Sequence, residues 1–154
     1  MEYGSIEREF HVDATPEVVF DVISSPVHIR EWWSAETDLR PVSGATAELV
    51  WSDGATDRAM VSPITVVDAE PPRLFSFRWV YAAGESASDR NSLLVTFELV
   101  PTGTGTSVRM TETGFREKGW EIAVLEEQYN EHVVGWGIFL PRMAEYITGL
   151  VAVR

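Results

Sequence analysis

Apolar and polar residues recur at two different periods along this chain, and the change of period divides it. From about Trp120 to Val151, apolar residues fall at Leu125, Tyr129, Trp136, Phe139, Met143, Ile147 and Leu150. Steps of three and four place them on one stripe, as a helix packed on one side requires. His132 lies on that stripe, while Glu126, Glu127, Glu131 and Glu145 fall mostly off it. A helix of this length spans roughly 45 Å at 1.5 Å per residue, so something broad must cover its apolar face. Gly135, Gly137 and Pro141 interrupt the pattern. A proline removes a backbone donor and crowds the carbonyl four residues back, which predicts a bend near Gly137 to Pro141. Close packing is the plainer reading of the two glycines.

Before that helix the period is two. Ile6, Arg8, Phe10 and Val12 alternate with Glu7, Glu9 and His11, which predicts a first strand with His11 on its solvated face. Thr15 and Pro16 then announce a helix, capped by the threonine and started by the proline. Ser24, Ser25 and Pro26 end it and begin a second short helix running to Trp32 and Trp33. A run of strands follows: Leu39 to Val42, the segment around Leu49 and Trp51, Arg58 to Asp68, Leu74 to Tyr81, Ser92 to Val100, and Thr106 to Thr113. Ser52, Asp53 and Gly54 signal a turn. Pro63 predicts an edge position or a bulge. A second helical start is expected near Glu117 to Trp120. Consecutive strands joined by short turns predict an antiparallel sheet, and helices segregated from it predict an α+β domain. No repeat or boundary divides the chain, so residues 1–154 are read as one domain.

Composition narrows the function classes. The chain has 154 residues, 45% of them apolar, enough to bury a core. A net charge of −12 opposes binding to nucleic acids and to anionic membranes. No apolar run approaches a membrane span, and the first residues lack the pattern of a signal peptide, so a cytoplasmic location is expected. The absence of cysteine excludes disulfides and thiolate chemistry. The three histidines are far apart in sequence, no phosphate loop appears, and neither a metal nor a cofactor is expected. Lys118 is the only lysine, a bias read as compositional.

Five stretches in order resemble a family. They are Ile6 to Phe10 with Ala14 to Phe20, Ser25 to Trp33, Pro71 to Leu74 closed by Phe77 to Trp79, Thr111 to Phe115, and His132 to Trp136 with Leu140. Together they are similar to the Aha1-type, Hsp90-ATPase-activator-homologue-like branch of the START-like (SRPBCC) superfamily. That resemblance implies a helix-grip fold, in which a curved antiparallel sheet wraps the long C-terminal helix around an elongated apolar cavity. It also implies a hydrophobic small-molecule ligand, with cyclases, hydrolases and dehydratases among the relatives. The chain departs from the family pattern at Pro141, and it carries Glu112 where many relatives place a histidine before the Gly-Phe pair.

The residues themselves nominate a site. Inward strand parity collects Trp51, Phe77, Trp79, Tyr81, Phe97 and Met110. The last helix adds Tyr129, Trp136 and Leu140, and Trp33 closes the second short helix. Such a lining suits an apolar or aromatic ligand, and equally suits a filled core. Glu112 falls on inward parity and His132 on the apolar stripe, so the carboxylate needs a partner. Arg58 and Arg78 are candidates. If Glu112 and His132 meet across the cavity they can act as an acid–base pair; a structural hydrogen bond is the plainer alternative. The leading expectation is thus a binder of a hydrophobic small molecule. An enzyme using Glu112 and His132 is the first rival. An interaction module, either a homodimer or a partner of an Hsp90-type chaperone, is the second and predicts a large exposed apolar patch.

Overall fold

The computed structural model describes residues 4–52, 59–82 and 84–152. Strand β1 (Ser5–Val12) leads into helices α1 (Pro16–Ser24) and α2 (Pro26–Trp32). Strands β2 (Glu36–Thr37), β3 (Thr46–Ser52), β4 (Ala59–Glu70), β5 (Leu74–Trp79), β6 (Leu93–Thr102) and β7 (Gly105–Thr113) follow. Helix α3 (Ile122–Ala152) completes the fold. The strands form one antiparallel sheet in the order β1-β7-β6-β5-β4-β3-β2. β1 and β2 are therefore opposite edges, and α1 and α2 carry the chain from one to the other. The sheet is curved, and with the long C-terminal helix it makes the helix-grip fold.

Local chemistry explains the elements. The Thr15 side chain accepts from the Val18 amide and Pro16 occupies the first turn of α1. Val19, Phe20, Val22 and Ile23 bury the inner side of that helix. Alternation is clean in β6, where Leu93, Val95, Phe97 and Leu99 are buried. The register sets Phe75 beside Phe97, Phe77 beside Val95, and Phe97 beside Met110, which stacks one apolar face across β5, β6 and β7. Against it α3 buries Leu125, Trp136, Leu140, Met143 and Ile147.

Several boundaries differ from the sequence reading. The segment Leu39 to Val42 is not a strand; the short β2 lies just before it, at Glu36–Thr37. Pro41 has no amide to give a ladder there. Pro63 lies in β4, which is interior in the sheet order. It faces Glu48 of β3 and sits one residue beyond the last β4–β5 pair, Ile64 with Trp79. Its missing amide thus falls where β5 has already ended. The register shift in β4 comes between Val66 and Asp68 instead. β5 stops at Trp79 because Val80 adopts φ of 62°. The segment 115–119 forms turns rather than a helical start, with Gly119 at φ of 74°. Pro141 lies inside α3 and does not end it, which is compatible with the bend expected there. Nothing lies within 4 Å of a Cβ built at Gly135 or Gly137, so close packing is not their role. The turn expected at Asp53 and Gly54, and Arg58, lie outside the described residues.

Candidate functional site

Glu112, near the end of β7, is fully buried between Ile6 of β1 and Val95 of β6. Its carboxylate is met by hydrogen-bond donors from two other elements. Trp79 Nε1, at the end of β5, donates to Oε2 at 2.7 Å. Trp136 Nε1, on α3, donates to Oε1 at 2.8 Å. His132 Nδ1, one turn earlier on α3, lies 2.9 Å from Oε1 and 3.0 Å from Oε2. A buried carboxylate needs such compensation, and hydrogen bonds to a charged acceptor are the stronger kind.

His132, nominated from the sequence, is a partner of Glu112, whereas Arg78 is not and Arg58 lies outside the described residues. Arg78 donates instead to Ser88 O and Ser92 Oγ. Among the described residues Glu112 thus has indole and imidazole donors, with no guanidinium. An ionised carboxylate only accepts, so against an ionised Glu112 it is Nδ1 of His132 that carries the hydrogen. Its Nε2 has no hydrogen-bond partner among the described residues. The imidazole is held edge-on against Trp79, with ring centroids 5.4 Å apart, and against Phe115, at 5.5 Å. Phe115 reaches it because Gly114 turns the chain at φ of 105°, a conformation a side chain resists.

Beside this group lies a cleft of about 770 Å³ that is partly open to solvent. His132, Trp136, Gly135 and Phe139 of α3 form one wall, and Trp79, Val80 and Tyr81 form another. Trp33 and Trp51 close the inner end, and Met60 to Pro63 of β4 form the far side. Lys118 also lines it. The inner end is an aromatic cluster. The Trp33 ring lies 5.7 Å from Trp51, 5.3 Å from Trp79 and 5.7 Å from Trp136. Trp51 Nε1 donates to the Trp33 carbonyl at 2.9 Å, so the end of α2 is tied to β3.

Of the nominated lining, Trp33, Trp51, Trp79, Tyr81, His132 and Trp136 meet in this cleft. Phe77, Phe97, Met110 and Leu140 do not; they are buried core beneath it. Strand parity selects the inward face but says nothing of depth, and Trp33 covers Phe77 at 6.0 Å. Tyr129 points elsewhere, packing on Phe115 and donating its hydroxyl to Ser5 O at 2.8 Å. Sequence reasoning overlooked Phe139, although it lies on the helical stripe. It also set aside Lys118, whose Nζ donates to Val80 O at 2.9 Å and Asn91 O at 2.8 Å. Burial pushes the Lys118 ammonium below the ordinary lysine range, against the attraction of Glu85. Its uniqueness was the one signal that could have drawn notice. No helix of the described residues is long and apolar enough to cross a membrane.

The same fold occurs in solved structures. A Mesorhizobium loti protein is 24% identical with a TM-score of 0.72, the match covering 92% of this chain and 94% of that one. A Bacillus halodurans protein is 25% identical with a TM-score of 0.65, covering 93% and 96%. The Aha1 dimer from Colwellia psychrerythraea is 16% identical with a TM-score of 0.68, covering 93% and 95%. No curated protein matches the chain. The family model described as Activator of Hsp90 ATPase homolog 1-like protein matches residues 13–148, and the chain belongs to that family.

Proposed function

We propose that the protein binds an apolar, ring-bearing small molecule in the cleft between β4, β5 and α3. The observation that carries this reading is the cleft itself: about 770 Å³ walled by Trp33, Trp51, Trp79, Trp136 and Phe139, with His132 among them. That volume and that mixture, mostly apolar with a few convergent polar groups, suit a small ligand. The Glu112 contacts pre-organise the wall, because one carboxylate sets the orientation of two tryptophans and the histidine. Titration with the neutral fluorophore phenylnaphthylamine tests it, alongside native mass spectrometry of gently purified protein. Saturable binding that weakens when Gly135→Phe fills the cleft is the expected result. Binding unaffected by that substitution, or none at all, overturns the reading.

A second reading makes the same site catalytic. It is favoured by the pairing of His132 Nδ1 with Glu112, which leaves Nε2 without a partner among the described residues on a ring that lines the cleft. A carboxylate that fixes the tautomer of a histidine leaves the other nitrogen free to take a proton from a bound molecule or return one. Turnover of an uncharged naphthyl ester, lost in His132→Asn, supports it. Turnover that survives the substitution removes His132 from the chemistry.

A further inference from the structure

We propose that Lys118 anchors an anionic head group, so that the ligand of this cleft is an amphipathic molecule with an aromatic or apolar body and a carboxylate or equivalent anion. The proposal rests on the cleft reading above and adds the chemical class of the ligand to it. Lys118 is the only lysine in a chain of net charge −12, and it lines the cleft. Its ammonium has three N–H donors. Two are used by backbone carbonyls, Val80 O at 2.9 Å and Asn91 O at 2.8 Å. The Trp120 ring lies 5.0 Å from Nζ and offers a soft face, which attracts a cation without neutralising it. No carboxylate of the described residues forms an ion pair with this ammonium. Among the described residues the remaining donor therefore has no ion-paired anion, Glu85 acting on the ammonium only at longer range.

The setting is built to hold that group still. One of the two carbonyls belongs to Val80, a β-branched residue at φ of 62°, a conformation such residues rarely adopt. Residues held there persist only where the surroundings enforce them, and they gather at ligand clamps. Val80 itself lines the cleft, next to Trp79 and Tyr81. The strained turn thus presents its carbonyl to Lys118 at the border of the cleft. An ammonium already fixed at two points loses little freedom when an anion takes the third, which favours binding. Glu131, the cleft's exposed carboxylate, would repel an anion, so the head group is expected on the Lys118 side. The apolar body would then lie along Trp79 and Trp136 toward Trp33.

A matched pair of fluorophores tests this. Anilinonaphthalenesulfonate and phenylnaphthylamine share a ring system and differ by one sulfonate. The protein as it stands should bind the sulfonate roughly three- to tenfold more tightly than the amine, the effect of one charge-assisted hydrogen bond at a half-open site. Lys118→Met should erase that preference by weakening the sulfonate much more than the amine, while Lys118→Arg should retain most of it. Circular dichroism and thermal melts establish that each variant folds. Should Lys118→Met not fold, the salt dependence of the unmodified protein decides. Added salt should weaken the sulfonate alone; strengthening would mean that the overall negative charge governs, and would overturn the proposal. A preference that persists in Lys118→Met also overturns it. If Lys118 were only a clasp between two loops, the variant would melt earlier with the ratio of affinities unmoved. Failure of both fluorophores to bind would instead overturn the cleft reading, which distinguishes the two.

Discussion

Trp136 Nε1 and Glu112 Oε1 stand 2.8 Å apart, a hydrogen bond that joins the middle of α3 to the end of β7 through a fully buried carboxylate. Trp79 completes the bridge from β5 by donating to the other oxygen. Replacement of Glu112 by glutamine keeps the shape but puts an amide donor where one indole or imidazole donor points. Glu112→Gln should therefore lose about 1 to 3 kcal/mol of stability, the cost of an orphaned buried donor. Urea unfolding followed by tryptophan fluorescence measures it. Stability equal to the parent would show that the carboxylate is not needed as a double acceptor.

His132 separates holding from acting. Asparagine can place a donor near the position of Nδ1, whereas leucine fills the space without one. His132→Leu should be less stable than His132→Asn by about 1 kcal/mol, despite its greater apolarity. Both variants lose the acceptor at Nε2. Each should bind naphthol no better than methoxynaphthalene, while the parent prefers naphthol. A parent that does not distinguish the two compounds would show that Nε2 does not orient ligands.

Gly135 offers a test that leaves the core alone. A Cβ built there meets nothing within 4 Å, and the residue lines the cleft in mid-helix. Gly135→Ala should stabilise the protein by about 0.5 to 1 kcal/mol, since glycine is a poor interior helix residue. The midpoint of urea unfolding reports this. A loss of stability would mean that the backbone at Gly135 needs glycine for some other reason.

Lys118 should titrate below the ordinary lysine value of 10.5, because burial disfavours its charged form more than Glu85 favours it. The sign follows from proton linkage. Between the lowered folded value and 10.5 the unfolded chain holds more protons, so this group's contribution to stability rises with pH across that window. Below the window both states are protonated and the contribution is unfavourable. As the only lysine it gives a single side-chain signal after isotopic methylation, and an NMR titration reads its midpoint directly. A midpoint at or above the ordinary value would contradict the burial argument.

Local periodicity already determined a good deal of this molecule. Alternation in β1, β5, β6 and β7 named the inward residues because strand side chains alternate whatever the tertiary context. The three- and four-residue spacing of Leu125, Trp136, Met143 and Ile147 defined the face of α3 for the equivalent reason. Glu112 and His132 were legible as a pair because each placed a polar group on an apolar face, and such a group must find a partner. Tertiary structure alone decided the rest. Which inward aromatics border open space depends on how far the layers stand apart, and that distance is set by Trp33 arriving from α2 and packing over Phe77. The donors to Glu112 are indoles because β5 and α3 converge on it, a relation between elements distant in sequence. Lys118 joined the cleft because the strained Val80 turn brings a carbonyl within 2.9 Å of it. Period carries information about direction, whereas depth and convergence arise only once the sheet has curved around the helix.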